Sequence, residues 1–143
     1  MDVSATLQQG VEILAPALTP HGFRFEFRDA DKGSGGHFAW GEFVRGTRRL
    51  ELHFRFALGL VTYHLGEDLI PHEYFMRIVL RGARDNAYPG FSDDPLDGFR
   101  HLRHDLERFA APFLTGSDAE FRAIIDEARL HPPPRGMRAL DRA

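Results

Sequence analysis

Two histidines, His53 and His64, stand out as residues that could do chemistry. Each occupies a polar position in an otherwise apolar, alternating segment. Imidazole titrates near neutrality and ligates zinc, so a close pair offers acid–base chemistry or the beginning of a metal site. A metal site needs a third and fourth donor, for which Glu42 and Glu51 are the nearest carboxylates. A histidine pair across two strands is also an ordinary structural feature, so no metal and no cofactor is expected.

Three other groups raise the same question. His101, His104 and Asp105 spell HxxHD at spacings that share one helix surface. The apolar stripe of that helix points elsewhere, so a solvated face with pairs such as Arg103–Glu107 is expected. Asp93, Asp94 and Asp97 resemble a cation cluster, but helix capping explains two of them. Asp29 and Asp31 lack the later ligands and closing glutamate of a calcium loop. The serines sit in no Gly-x-Ser-x-Gly elbow, and Gly33-Ser34-Gly35-Gly36 lacks the lysine and helix of a phosphate loop. No catalytic residue is assigned.

The element that must position the histidines is Thr47–Gly66, TRRLELHFRFALGLVTYHLG. Leu50, Leu52, Phe54 and Phe56 alternate with Arg49, Glu51, His53 and Arg55, the period of a half-buried strand. After Gly59, Val61, Tyr63 and Leu65 alternate with Thr62 and His64. A hairpin turning at Leu58-Gly59 places His53 opposite His64 and Phe54 opposite Tyr63. A longer loop would keep the two faces but separate the histidines.

Before this hairpin, Val3, Leu7, Val11, Leu14 and Leu18 predict a helix capped by Asp2 or Ser4, with Pro16 disturbing its last turn. Phe23, Phe25 and Phe27 predict a short strand facing the helices. Asp29–Gly36 reads as a polar loop. His37–Arg45 forms the next strand, pairing Phe43 with Leu50, Gly41 with Leu52 and Ala39 with Phe54. Its small central residues would let a helix approach closely. After the hairpin, helices are expected at Pro71–Gly82, from Asp94-Pro95 through Phe113, and after a Ser117–Glu120 capping box. Three consecutive prolines begin a tail, 131–143, expected to be extended or disordered. The order α-β-β-β-β-α-α-α is an α+β fold: a four-stranded antiparallel meander with helices packed on one face, in one domain over 1–130.

The opposite sheet face then carries Arg24, Phe38, Trp40, His53, Arg55 and His64, with Glu26, Arg28, Glu51 and Thr62 among them. Aromatic anchors interleaved with arginine suit a binding surface. Three readings stay open for this face: a partner surface, a platform on which nucleotides stack, or a face that is solvated or covered by the 83–94 segment.

Composition narrows the class. The 143 residues are 43% hydrophobic and 27% charged, as in ordinary globular domains. The net charge of −3 argues against a dedicated nucleic-acid binder. No cysteine is present, which removes disulfides and thiolate sites. No stretch approaches the roughly 18 apolar residues of a membrane span, and MDVSATLQQG does not read as a signal peptide, so a cytoplasmic location is expected.

The leading helix, His21-Gly22-Phe23, Trp40-Gly41-Glu42-Phe43, the Leu50–Phe56 strand and Gly98-Phe99-Arg100 to Asp105-Leu106 together resemble small bacterial α+β proteins of the immunity-protein type. The resemblance lies in the layout of elements over about residues 5–116. It implies binding to another protein, such as a cognate toxin, and implies no catalytic residues.

Overall fold

The computed structural model of the protein describes residues 2–33 and 36–131. The expected tail lies outside the described residues from Pro132 onward, as do Ser34 and Gly35. The elements are α1 (Val3–Leu18), a 3-10 turn (Thr19–His21), β1 (Arg24–Gly33), β2 (Gly36–Arg45), β3 (Arg48–Phe54), β4 (Leu58–Leu65), β5 (Asp68–Pro71), α2 (His72–Val79), α3 (Asp97–Phe109), α4 (Ala111–Leu114) and α5 (Asp118–Leu130). The α+β class holds, but the antiparallel sheet has five strands in the order β1-β2-β3-β4-β5. The added strand, β5, is too short to show a pattern. It pairs Ile70 with Tyr63 and Leu69 with His64 before the chain enters α2.

Local chemistry sets the ends of these elements. Asp2 accepts hydrogen bonds from the Ser4 and Ala5 amides and starts α1. Pro16 remains inside that helix, and the 3-10 turn that follows it ends at Gly22 with φ of 90°. Ser117 and Glu120 form the expected capping box of α5. The predicted long helix through Phe113 is broken at Ala110, and Pro112 opens the short α4. Asp94 caps a turn, through the Leu96 amide at 2.9 Å, and α3 proper begins at Asp97. The second helix is also shorter than expected, with Pro71 as its cap.

The β2–β3 register is the predicted one: Phe43 faces Leu50, Gly41 faces Leu52 and Ala39 faces Phe54. The β3–β4 register is not. Phe54 pairs with Leu58 around a loop of Arg55, Phe56 and Ala57, so Leu50 faces Tyr63 and Arg49 faces His64. Gly59 marks a β-bulge rather than the turn. The displacement preserves parity, so Leu50, Leu52, Phe54, Val61 and Tyr63 still meet the helices, but Phe56 falls in the loop, 71% exposed, and His53 no longer opposes His64. Asp29–Gly33 is also strand rather than loop, because backbone pairing with His37–Trp40 continues past a bulge between Phe27 and Asp29. Beyond the helices at the sheet edge, Phe27 is 51% exposed instead of buried.

The core lies between the sheet and the helices. Phe54, Tyr63, Phe75, Phe99, Phe113 and Phe121 are buried there. Phe54 stacks on Phe99 of α3, and Tyr63 on Phe75 of α2. α1 does pack against β2, but the room at Gly41 itself goes to the Phe25 ring, which lies 2.4 Å from where a Gly41 Cβ would stand. The close helix approach is at Gly10, whose missing Cβ makes room for the Phe99 ring. Two arginines tie the sheet to α4. Buried Arg48 donates to the Phe113 and Gly116 carbonyls and to Asp118, and Arg45 donates to the His21 and Leu114 carbonyls. Cations suit these C-terminal carbonyls, which have no helical donor.

A polar chain runs through this core. The Asp105 carboxylate can only accept, so His72 donates to it from Nε2 at 2.9 Å. His72 Nδ1 then accepts from the Tyr63 hydroxyl at 2.7 Å. Asp105 also accepts from the Ala87 and Tyr88 amides and contacts His104. The expected solvated HxxHD face is therefore wrong at Asp105, which is fully buried, though the Arg103–Glu107 pair is present. Burial pushes the Asp105 carboxyl up, but the hydrogen bonds from His72, Ala87 and Tyr88 outweigh it and hold it below its ordinary value. Burial, reinforced by the Asp105 charge, raises the Tyr63 phenol. A tyrosine–histidine–aspartate chain resembles catalytic machinery in composition. Here its members are 0, 3 and 0% exposed, and it anchors the irregular segment between α2 and α3. The Tyr88 hydroxyl adds a second tether, donating to the Leu58 and Gly59 carbonyls.

Candidate binding face

On the open face, alternation and the observed register put side chains into cross-strand rows. Val44, Arg49, His64 and Leu69 form one row, and Glu42, Glu51, Thr62 and Pro71 the next. Trp40 and His53 form a third. Phe38 and Arg55 close the face beside the β3–β4 turn. Segment 83–96 contacts Asp105, the Leu58 and Gly59 carbonyls, and Asp97, Arg100 and His101 of α3.

Two glutamates, Glu42 and Glu51, stand directly opposite one another, an unfavourable cross-strand pair by itself. Their other neighbours resolve it. Glu42 is 2% exposed and accepts from Arg28 at 2.8 Å and Arg49 at 2.6 Å. Glu51 binds His64 at 2.7 Å and also His53. Hydrogen bonds from His53 and then His64 hold the Glu51 carboxyl down at about 2, against the opposing effect of burial. Arg24 and Arg28 bracket Glu26, and the Arg24 hydrogen bond lowers that carboxyl. A continuous polar ladder thus runs from Arg24 on β1 to His64 on β4.

The expected site residues divide between this ladder and an aromatic cluster. Arg24 forms the outer end of the ladder, with its side chain 79% exposed. His64 is 7% exposed and lies within it. His53 belongs to both parts: it binds Glu51 and stacks on Trp40, with rings 5.1 Å apart and 5° from parallel. Trp40 and Phe38 are half-buried rather than fully open. The Arg55 guanidinium lies over the Phe38 ring at 5.7 Å. A shallow groove at this end is lined by Phe38, His53, Phe54, Arg55, Ala57, Gly59 and Leu60. Leu60 is 48% exposed and Phe56, on the turn, 71% exposed. Sequence reasoning missed Leu60, because its direction depends on the bulge at Gly59.

Glu42, Glu51 and His64 offer oxygen and nitrogen atoms within 4.8 Å of one another, close enough to share a metal ion. The surrounding charges oppose that use. Arg49 occupies both Glu42 and His64, and Arg28 occupies the other Glu42 oxygen. A cation would have to displace a guanidinium and strip the Nε2 proton from His64. The donor set as folded is an ion-pair network rather than a metal cradle.

Among the described residues, no helix is long and apolar enough to cross a membrane. No protein-family model, no curated protein and no solved structure matches the chain.

Proposed function

We propose that the chain is a non-enzymatic recognition protein that binds another protein through the open face of its sheet, in the manner of an immunity protein, and that it acts in the cytoplasm. The observation that carries this reading is the cluster at the β3–β4 end. Trp40 on His53 and Phe38 under Arg55 stand beside a groove flanked by the exposed Leu60 and Phe56. Held aromatic and arginine side chains are pre-organised, so little side-chain entropy remains to be lost on binding. They are also the residue types that dominate measured binding energies. The ladder behind them supplies charges of both signs for orienting a partner.

The test is affinity capture from a lysate of the encoding organism, using wild type, Leu60→Arg and Trp40→Ala, with mass-spectrometric identification and titration of whatever binds. The expected result is a protein retained by wild type and weakened by both substitutions. A partner bound equally by all three would place recognition elsewhere.

A second reading, a metal-dependent ligand binder using His53, His64 and the neighbouring acids, draws on the convergence of Glu42, Glu51 and His64. The arginines already seated on those groups make it the weaker reading.

A further inference from the structure

We infer that the groove takes a partner segment carrying an apolar side chain next to a carboxylate, with the carboxylate seated on Arg55. The inference rests on the proposed role of the open face in protein recognition and specifies the chemistry of the partner.

Charge on this face is almost entirely settled within the fold. Arg24 and Arg28 are bound to Glu26, Arg28 and Arg49 to Glu42, and His53 and His64 to Glu51. Arg55 differs. Its guanidinium lies against the Phe38 ring and has no carboxylate partner among the described residues. Contact with the ring, 5.7 Å from its centroid, engages no hydrogen-bond acceptor, so the guanidinium keeps N–H donors for a carboxylate. Contact with Phe38 favours that position of the guanidinium beside the groove.

His53 supplies the complementary group. Its Nε2 donates to the Glu51 carboxylate, and in the neutral ring Nδ1 is then an acceptor. The groove therefore brings together arginine donors, a ring nitrogen and the exposed apolar side chains of Ala57 and Leu60. A peptide presents that combination: a carboxylate for Arg55, an N–H for His53, and an apolar side chain for Ala57 and Leu60. A nucleic-acid strand fits less well. Arg24, Arg28 and Arg49 are paired with Glu26 and Glu42, so Arg55 is a single available arginine on this face rather than part of a track of cations.

The experiment pans a phage library of random peptides against the full chain, then titrates synthetic peptides from enriched clones. The expected result is enrichment of Asp or Glu within two residues of a large apolar residue. Replacing that acid by its amide should weaken binding about tenfold, and Arg55→Gln should do the same, because each removes one partner of a charged pair. Arg55→Glu should shift the selection towards Lys and Arg. Circular dichroism and melting of the variants check the fold, and the peptide substitution needs no folding control.

Peptides that compete at the groove and are lost with Leu60→Arg, yet ignore acidity and Arg55, would overturn this inference and leave the recognition role standing. Failure to enrich any peptide sensitive to Leu60→Arg would overturn both. Binding of single-stranded oligonucleotide, without peptide enrichment and lost in Arg55→Gln, would replace the peptide by a phosphate-bearing strand.

Discussion

Arg49 donates a hydrogen bond to Nδ1 of His64 at 3.2 Å. Arginine has no acceptor, so Nδ1 must be bare, and the imidazole proton resides on Nε2, where it is donated to Glu51 at 2.7 Å. Protonating the second nitrogen would set N–H against N–H and bring two cations together. The expected result is therefore a neutral His64 in the Nε2–H tautomer at neutral pH. Two-bond proton–nitrogen NMR spectra of the imidazole read this directly. Observation of the Nδ1–H form, or of an imidazolium, would contradict the ladder as described.

Glu51 makes the ladder sensitive to acid. Its carboxyl is held at about 2 against an ordinary value of 4.5. A depressed folded value contributes stability that is present above the unfolded value and lost as pH falls through the folded one. Wild type should thus lose stability between about pH 4.5 and pH 2, while Glu51→Gln, weaker at neutral pH, lacks this contribution. Urea unfolding of both proteins across that window checks it. The expected outcome is a difference between the two that shrinks steadily with acid; a constant difference would mean the histidines do not hold the charge.

Much of the fold was legible because strand periodicity is blind to small errors of register. Leu50, Leu52, Phe54, Val61 and Tyr63 face the core as their alternation requires, although the β3–β4 pairing is displaced from the expected one. Which polar residues meet was not legible, because it depends on where the turn falls. Gly59 looked like that turn, yet burial of Leu58 on the core side forces a bulge there and moves the loop to Arg55–Ala57. Burial of Asp105 was not legible for a different reason. Its neighbours His104 and Arg103 are polar, and only the Ala87 and Tyr88 amides, far off in sequence, show why a carboxylate is buried at that point. β5 and the strand continuing through Asp29–Gly33 are fixed by pairing with neighbours rather than by their own residue preferences.

Asp105 should matter more to stability than any residue of the open face. Asp105→Ala leaves the Ala87 and Tyr88 amides and His72 without their acceptor inside the core. Loss of one member of such a buried network costs ~3–5 kcal/mol. Denaturant unfolding should show a loss of that size. Hydrogen exchange should quicken first at Ala87 and Tyr88. A loss below ~1 kcal/mol, the size of a solvated interaction, would show that the chain anchors nothing.

Zinc should leave the wild-type melting temperature unchanged, because Arg28 and Arg49 already saturate Glu42 and Arg49 blocks His64. A ligand bound only by the native state would raise it. Arg49→Ala frees one Glu42 oxygen and His64 Nδ1, so zinc should stabilise that variant more than wild type. Calorimetric melts with and without zinc provide the comparison. Stabilisation of wild type at micromolar zinc would restore the metal reading.

Phe54 and Trp40 lie near one end of the sheet but should respond in opposite ways to truncation. Phe54 is 1% exposed and stacked on Phe99, so Phe54→Ala removes a filled core volume and should cost ~3–5 kcal/mol of folding stability. Trp40 is half-buried on the far face, where its ring rests on His53 rather than on a helix. Trp40→Ala should cost only about 1 kcal/mol, the scale of an aromatic contact at a surface. Its larger effect should be on binding, with a loss of ~2 kcal/mol or more, as expected for an aromatic anchor. Arg55→Ala should weaken binding and also reduce its dependence on salt, since its charge acts at the groove rim. Thermal and denaturant melts of the variants, beside titration of the captured partner, separate the two faces. A Trp40→Ala protein that melts far below wild type and binds the partner with unchanged affinity would assign Trp40 to the support of the sheet and remove it from the interface.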